Sequence, residues 1–292
     1  MTARGICWLD GEIRPLDQAR IPVTDHGLLY GDGVFEGIRF YHGRPFLLAE
    51  HLTRLADSAR AIALRLPRPL VEIADIVHAV VTAYPGPAGY LRLIVTRGPG
   101  PLGIDPTPCQ TPNLIVIAAP LALVDEARRQ RGVRLVTAAT RRLGPDGLDP
   151  RIKSLNYLNA VLARLEAHHA GADEAVLLNA RGHLAEGTAD NLFLARDGVL
   201  LTPPVTDGAL AGITRSLLLT LAAELGIPAR EQSLAPYDLY TADECLLTGT
   251  GAELIPVREV DGRPLPHCPG PLTTRLMAAF RARIDALARP AG

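Results

Sequence analysis

Lysine is nearly missing from this chain: of its 30 basic residues only Lys153 is a lysine, and every other one is arginine. Aromatic residues are scarce too, at 4%, so the close grouping of Tyr30, Phe35, Phe40 and Tyr41 stands out. Neither sign of charge is in excess. The net charge of −1 gives no reason to expect nucleic acid or an acidic membrane surface as a partner. The four cysteines, Cys7, Cys109, Cys245 and Cys268, lie far apart and form no Cys-x-x-Cys or Cys/His ligand spacing. That pattern offers no metal site and fits a reducing cytoplasm. No apolar run approaches membrane-spanning length, and the first ten residues hold no long apolar stretch of the leader type. A soluble cytoplasmic protein is expected.

The single lysine invites two readings. Under the first, a composition that favours arginine left one surface lysine unchanged. Under the second, an amine was needed that arginine cannot supply, because arginine never gives up its proton while a lysine amine can be neutralised and used as a nucleophile. The neighbourhood Arg151-Ile-Lys-Ser-Leu-Asn-Tyr-Leu-Asn159 favours chemistry.

At 292 residues the chain can form one large domain or two moderate ones. Its first part reads as a short hairpin around Asp10-Gly11, then a glycine-rich stretch from Asp25 to Arg39. Strand-like runs follow at Val34 to Tyr41 and Pro45 to Leu48. Leu48, Leu52, Leu55, Ala59 and Ile62 form one apolar stripe of a helix over Glu50 to Leu66, with Arg54 off that stripe. A second helix, Val71 to Tyr84, ends at Pro85-Gly86-Pro87, and strands at Gly89 to Thr96 and Asn113 to Ala118 flank a loop at 97 to 106. Strands and helices come in separate runs, which argues for an α+β fold. The expected division is a small N-terminal domain over 1–119, an interdomain loop over 120–131 and a larger, β-rich domain with helices over 132–292.

In the second part, a strand at Val133 to Ala139 and a loop deliver Lys153 to the start of a helix. Leu158, Val161, Leu162 and Leu165 fall at helical spacing along it. His168-His169 could be taken for a metal pair, but neighbouring residues on a helix point apart, so a favourable charge at the helix C-terminus is the better reading. A meander of strands is expected from Glu174 to Leu201, with Glu186 ending one of them just before Gly187. Gly212-Ile-Thr-Arg215 leads into an amphipathic helix that Thr214 can cap, and amides at Ile213 and Thr214 would attract an anion. Cys245-Leu-Leu-Thr-Gly-Thr-Gly-Ala-Glu253 is a strand breaking into a donor-rich turn suited to phosphate or carboxylate. Each signal alone has an ordinary structural explanation: a solvated turn carboxylate, a routine cap, a tight turn. Together, a usable lysine amine, a carboxylate and two anion cradles are what pyridoxal phosphate requires.

Six motifs in order then carry a resemblance: Tyr30-Gly-Asp-Gly-Val-Phe-Glu-Gly-Ile-Arg39, His51-Leu-Thr-Arg-Leu55, Ile152-Lys-Ser-Leu-Asn-Tyr-Leu-Asn159, Ala185-Glu-Gly-Thr-Ala-Asp-Asn-Leu-Phe193, Gly212-Ile-Thr-Arg215 and Gly249-Thr-Gly-Ala-Glu253. Over nearly its whole length the chain resembles the class IV aminotransferases, the fold type IV pyridoxal phosphate enzymes, and within them the branched-chain amino acid aminotransferases. The resemblance implies pyridoxal 5'-phosphate as cofactor and Lys153 as the catalytic Schiff-base lysine. It implies further cofactor contacts from Arg54, Tyr157, Glu186, Ile213, Thr214 and Thr250: Glu186 at the ring nitrogen, Tyr157 at the phenolic oxygen, the others at the phosphate. For substrate it implies Tyr30, Phe35, Gly37, Arg39, Tyr90, Arg92, Gly251 and Ala252, with Arg92 meeting the distal carboxylate of glutamate or 2-oxoglutarate. Amino acids and 2-oxo acids would be the small-molecule partners, in a homodimer or higher homo-oligomer whose active site lies at the subunit interface.

The chain departs from the family pattern at Ala211, where many relatives have proline, and at Gly251, where many have alanine. Its 97 to 106 loop lacks the Arg-x-His of typical D-amino acid aminotransferases. The expected activity is ping-pong transamination between a branched-chain L-amino acid and 2-oxoglutarate. The rivals are a D-amino acid or (R)-amine transaminase, an aminodeoxychorismate lyase, which tends to carry a basic residue where Tyr157 stands, a Schiff-base lyase or aldolase using Lys153 without cofactor, and a non-catalytic binding protein on the same fold.

Overall fold

A computed structural model describes residues 5–121 and 131–288. Most of the expected interdomain loop over 120–131 lies outside the described residues. The chain divides into two compact units. The first holds residues up to Leu121 together with Ile152–Asn156 and the end of the chain from Ala286; the second holds the remainder.

The first unit is built from β1 (Ile6–Leu9), β2 (Glu12–Pro15), α1 (His26–Tyr30), β3 (Gly33–Tyr41), β4 (Arg44–Pro45), α2 (Leu48–Ala61), α3 (Leu70–Ala83), β5 (Gly89–Thr96) and β6 (Asn113–Ala119). Its six strands form an antiparallel sheet in the order β2-β1-β6-β5-β3-β4. Alternation sorts the side chains. Val34, Ile38 and Phe40 of β3, Leu91, Leu93 and Val95 of β5, and Leu114, Val116 and Ala118 of β6 share one core with α2 and α3. Each fully buried aliphatic side chain there contributes roughly 1.5–3 kcal/mol. The residues between them, Phe35, Gly37 and Arg39 on β3 and Tyr90 and Arg92 on β5, therefore lie on the opposite face. β4 pairs only with Phe40 and Tyr41. At the other end of β3, the segment Ile152–Asn156 takes the same edge: Phe35 N donates to Lys153 O at 2.9 Å and Leu155 N to Gly33 O at 2.9 Å.

The second unit comprises β7 (Val133–Thr137), α4 (Leu158–His169), β8 (Glu174–Leu178), β9 (Leu184–Gly187), β10 (Asn191–Arg196), β11 (Val199–Thr202), α5 (Ile213–Glu224), β12 (Ala229–Glu231), α6 (Pro236–Tyr240), β13 (Glu244–Gly249), β14 (Glu253–Val260), β15 (Arg263–Pro264) and α7 (Pro271–Asp285). The strands run β12-β11-β10-β13-β14-β7-β8-β9, with β15 on β14. The expected meander is two separate hairpins, β8–β9 and β10–β11, because β10 pairs with β13 rather than with β9. Asn191 at the start of β10 stands opposite Thr248 of β13.

Helix α4 stands where the spacing places it, but it turns the other face inward. Ala160, Ala163 and Ala167 are buried against Ala175 and Leu177 of β8, while Leu158, Val161, Leu162 and Leu165 are exposed at 47–70%. Alanines let the helix lie close to the strand, and the leucines project outward. Among the described residues, no helix is long and apolar enough to cross a membrane.

Candidate active site

In the first unit the site is organised around Lys153. Its backbone is fixed on both sides: Lys153 N donates to Ser58 Oγ of α2 at 3.1 Å, and its carbonyl accepts from Phe35. Its Nζ lies 4.8 Å from the Phe35 ring centroid. The Arg92 guanidinium stacks on the same ring at 4.5 Å and lies 5.5 Å from the Tyr90 ring. Such contacts are worth about 0.5–2 kcal/mol each and hold a cation against an apolar surface. Gly37 is required here by close approach, since a Cβ would stand 1.9 Å from Tyr90 Oη. Arg39 covers the Tyr41 ring at 5.3 Å, and Tyr30, 39% exposed, meets His26 edge-on at 4.9 Å. The structure thus brings Lys153, Phe35, Gly37, Tyr90 and Arg92 together; Tyr30 and Arg39 lie in the same unit with neighbours of their own.

Arg54 is not a solvated charge. Its Nε and Nη2 donate to the two oxygens of Glu36, each at 2.7 Å, and His51 Nδ1 donates to Glu36 Oε2 at 2.7 Å. Glu36 and His51 are essentially inaccessible to water. Burial alone would raise the Glu36 pKa, yet the hydrogen bonds and charges of Arg54 and His51 bring it down to about 2. Burial lowers the His51 pKa; Glu36 opposes this, and the charges of Arg54 and Lys153 add to it. Glu36 and His51 are functional candidates that the sequence reading passed over, although both stand in the quoted motifs.

In the second unit the centre is Glu186, buried on β9. Arg142 Nη2 lies 2.7 Å from its Oε1, while Leu210 N and Asn191 Nδ2 donate to Oε2 at 2.8 and 3.2 Å. Helix α5 begins at Ile213 with Gly212 as N-cap and no side-chain cap. Thr214 is therefore inside the first turn rather than capping it, and the N-terminal amides are not taken by a capping side chain. Gly212 admits no side chain: a Cβ would come 1.9 Å from Asn191 Oδ1. Thr250, Gly251 and Ala252 form the turn between β13 and β14. A Cβ on Gly249 at its entrance would come 2.4 Å from Asp190 Oδ1. Asp190 and Asn191 thus shape both glycine turns, and Asn191 also holds Glu186. Just before the second turn, Thr248 Oγ1 is buried without a hydrogen-bond partner. Tyr157 immediately precedes α4, its carbonyl accepting from Val161 N at 2.9 Å.

This set fits pyridoxal phosphate. Each unit carries donors of the kind that cofactor needs: the second a buried carboxylate, a helix start with no capping side chain and a donor-rich turn, the first a lysine whose backbone is hydrogen-bonded on both sides. The comparisons agree. A family model for class IV amino-transferases matches residues 33–260. A putative branched-chain-amino-acid aminotransferase of Methanocaldococcus jannaschii is 46% identical over 276 residues, 94% of each chain. The crystal structure of the Escherichia coli branched-chain amino acid aminotransferase superposes with a TM-score of 0.92 at 35% identity, covering 98% of this chain and 96% of that one. The branched-chain amino acid aminotransferase of Thermobaculum terrenum, in its PLP-bound holo form, gives 0.87 at 30% identity, covering 98% and 95%. The chain belongs to the class IV aminotransferases. It is a pyridoxal phosphate-dependent aminotransferase.

Proposed function

We propose that this enzyme transaminates branched-chain L-amino acids with 2-oxoglutarate, in two half-reactions that use the same pocket. The observation that carries the reading is the shared Phe35 ring: the only lysine of the chain and the Arg92 guanidinium both lie against it. An apolar side chain finds aromatic surface there, and a distal carboxylate finds a guanidinium. The substrate class printed for the relatives points the same way.

Pyridoxal phosphate, when bound, supplies a carbonyl that captures amines and a ring that spreads the electron pair left by a broken Cα–H bond. The chain's own residues hold, orient and move protons. Lys153 Nζ is the covalent anchor and the base that takes and returns the Cα proton. Glu186 pairs with the ring nitrogen, and Tyr157 hydrogen-bonds the phenolic oxygen. Arg54, steadied by Glu36 and His51, serves the phosphate, as do the first-turn amides of Ile213 and Thr214 and the Thr250 turn. The Thr250-Gly251-Ala252 backbone receives the substrate α-carboxylate, and Tyr30, Gly37, Arg39 and Tyr90 shape the side-chain pocket.

We read the chain as self-associating, which the outward Leu158, Val161, Leu162 and Leu165 support. A reducing location is supported by four free cysteines.

The test is spectroscopic. L-leucine, D-alanine and (R)-1-phenylethylamine are added separately to the yellow holoenzyme. Bleaching of the visible cofactor band by L-leucine alone is expected; bleaching by D-alanine or the (R)-amine instead would overturn the substrate assignment.

A further inference from the structure

Glu186 shares its buried place with a full positive charge. Arg142 is 13% exposed at its side chain and Glu186 7%, with Nη2 and Oε1 2.7 Å apart. The surrounding loop is shaped around this arginine. Arg142 Nε donates to Gly208 O at 3.1 Å. Gly208 has a φ of 105°, and a Cβ there would stand 3.2 Å from Arg142 Cγ. A residue in left-handed conformation and without a side chain lets the arginine stem pass and turns its own carbonyl toward Nε.

Leu210 N–H and the Asn191 amide also donate hydrogen bonds to Glu186, and neither brings a net charge. Burial by itself drives a carboxylate toward its neutral, protonated form. A guanidinium cannot give up its proton, so its presence favours the anion under all working conditions. The distinction matters for a carboxylate facing a pyridine nitrogen. One proton lies between the two groups, and in a site of low polarity a neutral acid beside a neutral ring competes with an anion beside a protonated ring. A fixed cation on Oε1 tips that balance toward the anion.

We propose that Arg142 is a positioning residue that keeps Glu186 anionic, so that the proton shared with the cofactor stays on the ring nitrogen. This rests on the assignment of Glu186 to that nitrogen, and it adds the reason why the ring remains an effective electron sink. Arg142 acts through Glu186 and touches neither substrate nor cofactor. Its place in the loop ahead of Lys153 also ties the Gly208 strand-to-helix connection, so charge and tethering have to be separated.

The experiment uses the full chain loaded with pyridoxal phosphate carrying 15N in the ring, and reads the ring-nitrogen chemical shift. Wild-type protein is expected at the protonated-pyridine position. R142Q and R142M, each checked for a cooperative unfolding transition, are expected to move toward neutral pyridine. R142K keeps the charge without the Nε bond to Gly208 and is expected to stay with wild type. R142Q and R142M remaining at the protonated position would overturn the proposal. So would R142K moving with them, since tethering rather than charge would then be the cause. E186Q separates the two levels: it moves toward neutral pyridine if Glu186 faces the nitrogen, and an unmoved E186Q would instead overturn the assignment beneath.

Discussion

The Lys153 amine and the Arg92 guanidinium share one aromatic ring, at 4.8 and 4.5 Å from the centroid of Phe35. Phe35 and Arg92 come from adjacent strands, on the sheet face opposite the helices, and Lys153 is pinned at the edge of the same sheet by the bond from Phe35 N to its carbonyl. Under the proposed assignment, chemistry and side-chain selection share one piece of β3 and β5.

Arg92→Met tests that division of labour. Loss of a hydrogen-bonded charge on a distal carboxylate costs about 1.5–3 kcal/mol, which corresponds to a roughly 10–150-fold fall in kcat/KM for 2-oxoglutarate. The half-reaction with L-leucine has no distal carboxylate to lose and should change little. Single-turnover rates of each half-reaction measure both. Equal losses with the two substrates would remove Arg92 from carboxylate recognition.

Glu36 makes a prediction about acid. Its folded pKa of about 2 lies below the value of 4.5 for an unperturbed glutamate. A depressed carboxylate contributes stability above the unfolded pKa, and that contribution is lost as pH falls through the folded one. The shift corresponds to roughly 3 kcal/mol, lost between about pH 4.5 and 2. His51, whose pKa is also lowered, adds a loss of the same sign that begins at higher pH, below its unfolded value. Urea unfolding at a series of pH values should show the lower window in wild-type protein and not in E36Q. Parallel acid slopes for the two proteins would show that Glu36 is not held as an anion.

Much of this site is legible in the sequence because its residues obey short periods or stand out by rarity. Lys153 is conspicuous as the one lysine; Phe35, Gly37, Tyr90 and Arg92 are named by the family resemblance, and the fold sets them on one face of β3 and β5. Partnerships across elements are not written that way. Arg54 looks like a solvated helical charge until β3 brings Glu36 beneath it. Arg142 is one arginine in an arginine-rich chain, and only the fold sets it on Glu186. In α4 the leucine and alanine faces have the same helical period, so spacing identifies the helix but not the face that packs. Thr214 has the chemistry of a cap, but the helix starts at Ile213 and leaves it inside the first turn.

The contact between Asn191 and Gly212 makes the last prediction. The Asn191 amide donates to Glu186 Oε2 and to Leu210 O, while its Oδ1 occupies the space that a side chain on residue 212 would need. A methyl group at residue 212 must therefore displace either Asn191 or the start of α5. Overpacking of this kind costs about 1–3 kcal/mol. Gly212→Ala should lower both the unfolding free energy and the affinity of the apo protein for pyridoxal phosphate, since the same helix start is assigned to the phosphate. Asn191→Ala alone should weaken cofactor affinity through Glu186. In the double variant the clash is gone, so the two losses should be clearly less than additive in unfolding free energy, by about 0.5–3 kcal/mol. Urea unfolding of the four proteins gives that coupling, and titration of the apo proteins with cofactor gives the affinities. Strict additivity would mean that Asn191 is not what excludes a side chain at residue 212.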